Sequence, residues 1–254
     1  MKITFLGTGT SQGIPVIGCI HPVCLSKDPK DKRLRASVLV EKDDFQIVID
    51  CGPDFRMQML QSGTTHLDAI LFTHEHSDHT AGFDDIRQFS RRNGALPVYA
   101  HQRVMDNLKV RFDYIFNDAI IYKGKPKVIP NMVVNNIPFS IKGQAIIPIN
   151  LQHGDLQVFG YRIDDFAYLT DVSAIDSKEK QKLKHLDVLV LDALRIDYHP
   201  THFNLQQALD LVQELQPKRT YFTHISHKLG FHKEVSKLLP KHVYLAYDGL
   251  QINS

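Results

Sequence analysis

Three histidines and an aspartate fall within six consecutive positions of this chain, directly after a short apolar stretch at residues 69–72. They are His74, His76, Asp78 and His79. Imidazole and carboxylate groups are the ligands that suit zinc, manganese and iron, and a solvated loop has no need of them at this density. If the chain leaves a buried strand here, His74 and His76 point to one side, and Asp78 and His79 follow on the turn. One segment then supplies half of the ligands of a two-metal hydrolytic centre.

Three further candidate ligands stand at comparable places in the sequence. His153 follows the apolar run at residues 146–151, Asp171 follows the run at 166–170, and His224 follows the run at 220–223. Each is expected just past the carboxyl end of a strand, where open α/β sheets place their ligands. Taken singly, a histidine after a strand is more often a hydrogen-bonded structural residue, and Asp171 could cap a helix. Together they indicate one metal centre at a sheet edge.

Strands that alternate with helices must position these side chains, which predicts an α/β fold. Strands are predicted at residues 3–6, 37–40, 46–49, 69–72, 98–100, 145–149, 158–163, 166–169, 188–191, 220–222 and 243–245. Helices are predicted at residues 53–61, 83–90, 102–109, 204–215 and 232–239. The proline-dotted region 123–142 is a candidate join between two structural halves. Since no low-complexity segment or Gly/Ser linker interrupts the chain, a single domain spanning residues 1–254 is favoured.

The composition is that of an ordinary globular protein, with 43% hydrophobic residues, 23% charged residues and a net charge of +2. No apolar run approaches the roughly 20 residues of a membrane helix. The near-neutral charge gives no sign of a basic surface for nucleic acid. The N-terminus lacks the apolar core and cleavage site of a signal peptide, and three cysteines cannot all pair within the chain. We therefore expect a cytoplasmic protein with no membrane partner.

A second group of potential ligands lies near the two ends of the chain. Cys19, His21 and Cys24 have the close spacing of a structural zinc loop, which needs a fourth ligand from elsewhere. His227, three residues beyond His224, is a candidate for that ligand. The alternative is that Cys19 and Cys24 are ordinary buried thiols and that His21 is exposed. The spacing alone leaves both open, because zinc-finger motifs show two complete ligand pairs.

The order of these residues resembles the metallo-β-lactamase fold superfamily. The resembling motifs are Thr-His-x-His-x-Asp-His at residues 73–79, then His153, Asp171 in Leu-Thr-Asp, and His224. The resemblance implies an αββα sandwich with two metals at one edge of the facing sheets. Carried over by position, it implies seven ligands: His74, His76 and His153 for the first ion, Asp78, His79 and His224 for the second, and Asp171 between them. Asp50 matches the family's Asp-x-Gly turn, in which the aspartate orients metal ligands through hydrogen bonds.

The N-terminal loop narrows the resemblance. The Gly-Thr-Gly start at residues 7–9, the loop at residues 18–24 and the Thr-His-Ile-Ser-His segment at residues 223–227 are similar to the phosphodiesterases that open phosphoribosyl 1,2-cyclic phosphate in phosphonate breakdown. In that group the loop carries three cysteines, and a C-terminal histidine closes a structural zinc site. This chain has His21 where the middle cysteine is expected. The resemblance therefore implies that Cys19, His21, Cys24 and His227 form a Cys2His2 zinc site.

The same resemblance implies a function, the hydrolysis of a small phosphodiester such as a cyclic ribose phosphate. Two divalent ions, manganese or zinc, would hold the attacking water between them, and Asp78 is a candidate acceptor for a proton of that water. His202 is the expected proton donor to the leaving oxygen, with His199 as a competitor. Arg87 and Arg91 could bind a phosphate, although a solvated helix face is the favoured explanation. A homodimer is compatible with the family.

Three other functions stay open at this point. Glyoxalase II-like thioesterases and lactonases share the motif at residues 73–79. A transfer-RNA 3′-processing nuclease shares the Gly-Thr-Gly start and a histidine like His202, but it usually carries a basic or glycine-rich arm that is not evident here, and the charge disfavours RNA. A non-catalytic di-iron redox module is disfavoured, because flavodiiron-type proteins usually place an acidic residue where His76 stands.

Overall fold

Fourteen strands form two seven-stranded sheets in this computed structural model, which describes residues 1–254. In chain order they are β1 (Lys2–Gly7), β2 (Ser37–Lys42), β3 (Phe45–Ile49), β4 (Ala69–Leu71), β5 (Leu96–Ala100), β6 (Val128–Met132), β7 (Phe139–Ile141), β8 (Gln144–His153), β9 (Leu156–Ile163), β10 (Phe166–Leu169), β11 (Val188–Asp192), β12 (Arg219–Thr223), β13 (Val243–Leu245) and β14 (Gln251–Asn253). The first sheet has the order β14-β1-β2-β3-β4-β5-β6, and the second has the order β13-β12-β11-β10-β9-β8-β7.

Each sheet is half antiparallel and half parallel. Strands β14, β1, β2 and β3 pair antiparallel, whereas β3 to β6 pair parallel. In the second sheet β7 to β10 pair antiparallel and β10 to β13 pair parallel. The strands β8, β10, β11 and β12 consequently end at the same edge of the second sheet, as the predicted ligand positions require.

Nine α-helices connect the strands. They are α1 (Pro22–Leu25), α2 (Phe55–Ser62), α3 (Ser77–Thr80), α4 (Arg87–Asn93), α5 (Gln102–Arg111), α6 (Asp113–Phe116), α7 (Ser177–Gln181), α8 (Leu205–Leu215) and α9 (His232–Val235). The start of α8 is a capping box, in which the Asn204 side chain accepts from the Gln207 backbone and the Gln207 side chain accepts from the Asn204 backbone. None of these helices has the length and apolar character needed to cross a bilayer.

The two sheets pack face to face, and the helices cover their outer faces. A cluster of 22 buried residues from both sheets, including Phe5 and Tyr161, fills the space between the sheets. Two further clusters, of 21 and 19 buried residues, join each sheet to its own helices. The Tyr161 hydroxyl also donates a hydrogen bond of 2.7 Å to the carbonyl oxygen of Phe72, so the sheets are tied together directly beneath the metal-binding motif. The predicted αββα sandwich is confirmed.

The structure also locates the join and corrects several element predictions. Region 123–142 contains the whole of β6 and β7, the outermost strands of the two sheets, so it does connect the two halves. The sequence did not predict β6, because Pro130 cannot donate to a ladder and is tolerated only at an edge. The helix predicted at 83–90 is a 3-10 turn, Phe83–Ile86, followed by α4. The helix predicted at 232–239 ends at Val235, and Pro240 disfavours helical backbone at residue 239.

Candidate metal centre

Candidate ligands, and two aspartates that hydrogen-bond to histidines of the site, lie at the carboxyl ends of strands from both sheets. The residues concerned are Asp50 after β3, His74 after β4, His153 at the end of β8, Asp171 after β10, Asp192 at the end of β11 and His224 after β12. His76 follows on the loop from β4, while Asp78 and His79 belong to the short helix α3. The fold therefore brings together the seven residues that the sequence predicts to be metal ligands.

Asp171 is at the centre of the cluster. Its carboxylate oxygens lie 3.2 Å from Nε2 of His79, 3.5 Å from Nε2 of His224 and 4.0 Å from Nε2 of both His74 and His153. Atoms that bind one ion at about 2 Å lie roughly 3–4 Å from one another, so these separations are those of a ligand shell.

The remaining predicted ligands complete two groups around Asp171. His74 Nε2 lies 2.9 Å from Nδ1 of His76, and the ligand atoms of His74, His76 and His153 all lie within 4.8 Å of one another. Asp78 Oδ2 lies 3.1 Å from His79 Nε2 and 3.6 Å from His224 Nε2, and these three form a second such group.

Unpaired nitrogen atoms in the cluster show that it fits metal ions. Nε2 of His79 and both ring nitrogens of His224 are buried and make no hydrogen bond within the protein. Buried polar atoms are almost always paired, and each one left unpaired costs about 1–3 kcal/mol. Divalent ions bound by imidazole and carboxylate would satisfy the two Nε2 atoms.

A second layer of hydrogen bonds orients the imidazoles. The fully buried Asp50 accepts bonds from His79 Nδ1 at 2.7 Å, from the Thr73 backbone at 2.9 Å and from the Thr73 hydroxyl at 2.8 Å. The Thr73 hydroxyl in turn accepts from His74 Nδ1 at 3.0 Å. These bonds leave Nε2 of both histidines free for a metal, which is the usual arrangement in zinc sites.

The charges of the cluster balance one another. Burial alone would lower the pKa of His79, but the carboxylates of Asp78, Asp171 and Asp50 raise it well above its ordinary range. Burial would raise the pKa of Asp171, yet the imidazoles of His224, His79 and His74 hold it well below its ordinary range. The Asp171 carboxylate is therefore ionised and available to bind a cation.

The backbone is strained where it presents these side chains. Asp50, Asp171 and His224 have φ angles of 68°, 58° and 56°, in the left-handed region that non-glycine residues rarely occupy. Such strain, of order 1–3 kcal/mol per residue, is typical of functional sites. Gly52 is required for a different reason, since a Cβ there would lie 2.0 Å from the carbonyl oxygen of Asp78. The Asp-Cys-Gly turn thus packs directly against the metal-binding loop.

His202 lies beside the cluster. Its Nε2 is 3.9 Å from Asp171, and its Nδ1 donates to the buried carboxylate of Asp192 at 3.0 Å. Burial and the neighbouring His224 lower the pKa of His202 to about 4. The competitor His199 lies further out, with its ring 5.1 Å from that of His202, and its Nδ1 accepts from Thr201.

The structure also places Arg87, a possible phosphate-binding residue, and Asp192, which the sequence analysis did not single out. Arg87 is not near the ligands, because it pairs with Asp84 and lines a separate cavity of about 430 Å³ between α2 and α4. Asp192, the partner of His202, was missed. A signal for it was present, since Asp192 follows four apolar residues and ends a strand in the same way as the predicted ligands.

The four residues of the N-terminal loop group come near one another in a looser arrangement. The rings of His21 and His227 are 5.0 Å apart, and Cys24 is buried beside Cys19. Nδ1 of His227 is buried and unpaired. No three ligand atoms of this group all lie within 4.8 Å of one another, as those around Asp171 do.

An αββα sandwich with a histidine and aspartate cluster at one edge of its sheets defines a class of proteins, and sequence comparison agrees with it. A model of the β-lactamase superfamily domain matches residues 46–225. The chain therefore belongs to the metallo-β-lactamase superfamily.

Individual relatives point to different activities. A solved diphosphatase of the PhnP family is 41% identical to the chain, with a TM-score of 0.93 and coverage of 100% of this chain and 97% of that one. An octanoyltransferase of Porphyromonas gingivalis is 39% identical over 253 residues, which are 99% of this chain and 51% of that protein. The chain thus spans about half the length of this relative. The short form of human tRNase Z is 18% identical, with a TM-score of 0.73 and coverage of 100% and 99%, and shares the fold.

Proposed function

We propose that the protein is a divalent-metal-dependent phosphoesterase that hydrolyses a small phosphodiester. The observation that carries this proposal is the convergence of histidine and aspartate ligand atoms around Asp171, with separations of 3.2–4.0 Å. The similarity to a diphosphatase along the whole chain supports phosphoryl chemistry, because that relative also acts on phosphorus–oxygen bonds.

The proposed ligands divide into two sets that share one carboxylate. His74, His76 and His153 would hold one ion, Asp78, His79 and His224 would hold the other, and Asp171 would contact both. Two divalent ions, manganese or zinc, lower the pKa of a water between them and neutralise charge on phosphoryl oxygens. Although burial opposes it, the neighbouring His79 and His224 hold the pKa of Asp78 well below its ordinary range, so Asp78 is a weak proton acceptor and acts mainly as a ligand.

His202 is the proposed proton donor to the leaving oxygen. Its Nε2 faces the ligand cluster, while the bond from Nδ1 to Asp192 fixes the orientation of the ring. Without a bound substrate, His202 has a pKa of about 4, so its ring is neutral at neutral pH. An anionic phosphodiester beside the ring raises that pKa. The hydrogen bond from Nδ1 to Asp192 keeps Nε2 turned toward the cluster while the ring gains a proton. His202 can then hold the proton that an alkoxide leaving group requires.

A diphosphate is the second candidate substrate, because the relative that matches the whole chain is a diphosphatase. The two candidates differ in the leaving group. A phosphate anion leaves without a proton donor much more readily than an alkoxide does, so a diphosphatase depends less on His202. Octanoyl transfer is not assigned to this chain, since about half of the relative with that name lies outside the match.

We also propose that Cys19, His21, Cys24 and His227 bind a structural zinc ion that ties the N-terminal loop to the segment after β12. The buried, unpaired Nδ1 of His227 and its ring contact with His21 support this assignment. A zinc ion with four protein ligands has no open position, so it would contribute stability and no chemistry.

Hydrolysis by metal-stripped protein reloaded with manganese or zinc tests the proposal. The substrates are bis-p-nitrophenyl phosphate, a cyclic ribose phosphodiester, a nucleoside diphosphate, an acyl thioester and a transfer-RNA precursor. We expect metal-dependent turnover of the two small phosphodiesters. Turnover confined to the nucleoside diphosphate would favour the second candidate, and turnover confined to the thioester or the RNA would refute the proposed function.

A further inference from the structure

Arginine side chains of helix α5 form hydrogen bonds with the loop that carries several of the predicted metal ligands. Arg103 donates two parallel hydrogen bonds to Glu75, from Nε to Oε1 at 2.7 Å and from Nη2 to Oε2 at 3.2 Å. Nη2 also donates to the carbonyl oxygen of Gln157 on β9 at 2.5 Å. The Glu75 side chain is 17% exposed and the Arg103 side chain is 38% exposed, so the carboxylate is the more shielded partner. A bidentate pair of this kind fixes orientation as well as distance.

A second arginine of α5 holds the same loop further along. Arg111 Nη1 donates to the carbonyl oxygen of Glu75 at 3.2 Å and to the hydroxyl of Thr80 at 2.7 Å. That hydroxyl donates to the carbonyl oxygen of His76 at 2.8 Å. The backbone on both sides of His76 is therefore anchored to α5.

His76 needs this anchor more than the neighbouring ligands do. The ring of His74 is oriented by Thr73, that of His79 by Asp50 and that of His153 by the carbonyl oxygen of Thr201. His76 is exposed, and its one close polar side-chain contact is the 2.9 Å separation of its Nδ1 from Nε2 of His74, which would bind the same ion. No outer side chain orients the His76 ring, so its backbone must determine where the ring lies.

We propose that Arg103 and Arg111, acting through Glu75 and Thr80, are positioning residues that place His76 for the metal ion shared with His74 and His153. The proposal rests on the proposed function, because it takes His76 as a ligand. Residues that orient metal ligands change metal affinity by about 10- to 100-fold when they are replaced. We expect the Glu75→Gln variant to lose metal affinity by this factor for one of the two ions. This substitution keeps the shape of the side chain and removes its charge.

The test is a cobalt titration of metal-stripped protein against a competing chelator, in wild type, Glu75→Gln, Arg103→Gln and the double variant. Lys180→Gln is the matched control, because it breaks a 2.6 Å ion pair with Glu214 between α7 and α8. Each single variant should bind one of the two cobalt ions less tightly and should have an altered cobalt absorption spectrum. The control variant should match wild type in both measurements. Glu75 and Arg103 act as a unit. The double variant should therefore bind cobalt no less tightly than the single variant that has the lower cobalt affinity.

The outcomes separate this proposal from the proposed function. Unchanged cobalt affinity and spectrum in Glu75→Gln would overturn the positioning role, even if the thermal midpoint of the metal-free variant fell. An equal loss of affinity for both cobalt ions would also overturn the positioning role, because that role concerns one ion only. A wild-type protein that bound no cobalt in this cluster would instead overturn the proposed function.

Discussion

Replacing Asp50 with asparagine should weaken metal binding while leaving the chain folded. Asp50 Oδ1 accepts from the Thr73 backbone at 2.9 Å, and Oδ2 accepts from the Thr73 hydroxyl at 2.8 Å and from His79 Nδ1 at 2.7 Å. Asparagine has the same shape and tolerates the φ angle of 68° found at this position. It has a single oxygen, however, and its amide nitrogen is a donor.

The size of the expected loss of metal affinity follows from the direction in which the single asparagine oxygen must point. The backbone N–H of Thr73 can only donate, so the oxygen of asparagine faces Thr73 and the amide nitrogen faces His79. Nδ1 of His79 must then accept, which puts the proton on Nε2, the atom that lies 3.2 Å from Asp171. A hydrogen bond to a charged group is worth about 1.5–3 kcal/mol, which corresponds to roughly a 10- to 150-fold loss of affinity for the ion that His79 binds.

The assay is competition between a chromophoric chelator and metal-stripped protein for zinc at constant pH. The thermal midpoint of the metal-free Asp50→Asn protein checks that it is folded. Thr73→Ser is the matched control, because it keeps both of the hydrogen-bond donors that face Asp50. A folded Asp50→Asn protein with wild-type zinc affinity would refute the orienting role of Asp50.

Three more changes have definite expected outcomes. His202→Ala should keep its metal content but slow hydrolysis of an alkyl phosphodiester by about 10²- to 10⁴-fold, with a smaller effect on a p-nitrophenyl ester; equal effects on both esters would remove His202 as the proton donor. Arg33 donates to Nδ1 of His232 at 3.1 Å, and burial together with this arginine lowers the pKa of His232 from 6.5 to about 4. The wild-type protein should therefore lose up to about 3 kcal/mol of stability as the pH falls from 6.5 through 4. Denaturant unfolding at several pH values should show that His232→Asn, which keeps an acceptor but does not titrate, lacks this loss; the same pH dependence in both proteins would contradict the assignment. Cys24→Ser should lose one zinc per chain and unfold at a lower temperature, whereas unchanged zinc content and midpoint would show that the second metal site does not exist.

Much of the fold and of the candidate site could be predicted from the sequence because the ligands follow apolar strands. The runs before His74, Asp171 and His224 are almost wholly buried, as expected for strands covered on both faces, whereas the strand before His153 alternates buried and half-buried residues. Since several of these strands end at one sheet edge, the order of the ligands along the chain was enough to predict that they meet.

The remaining features depend on contacts between segments that are distant in sequence. The partners Asp192 and His202 are joined only when the segment after β11 folds back over the cluster. The ion pair between Glu75 and Arg103 spans 28 positions and depends on how α5 packs. Short edge strands such as β7 and β14, with three residues each, have too few residues for a periodic signal.

The measurement that tests the central claim most directly is a zinc or manganese titration of the metal-stripped protein, with hydrolysis of a cyclic ribose phosphodiester followed at each addition. We expect no turnover without metal and full turnover once two ions are bound in the cluster around Asp171. The Asp171→Ala protein should neither retain both ions nor turn over the substrate. Turnover by metal-free protein, or two tightly bound ions without any phosphodiester hydrolysis, would contradict the account.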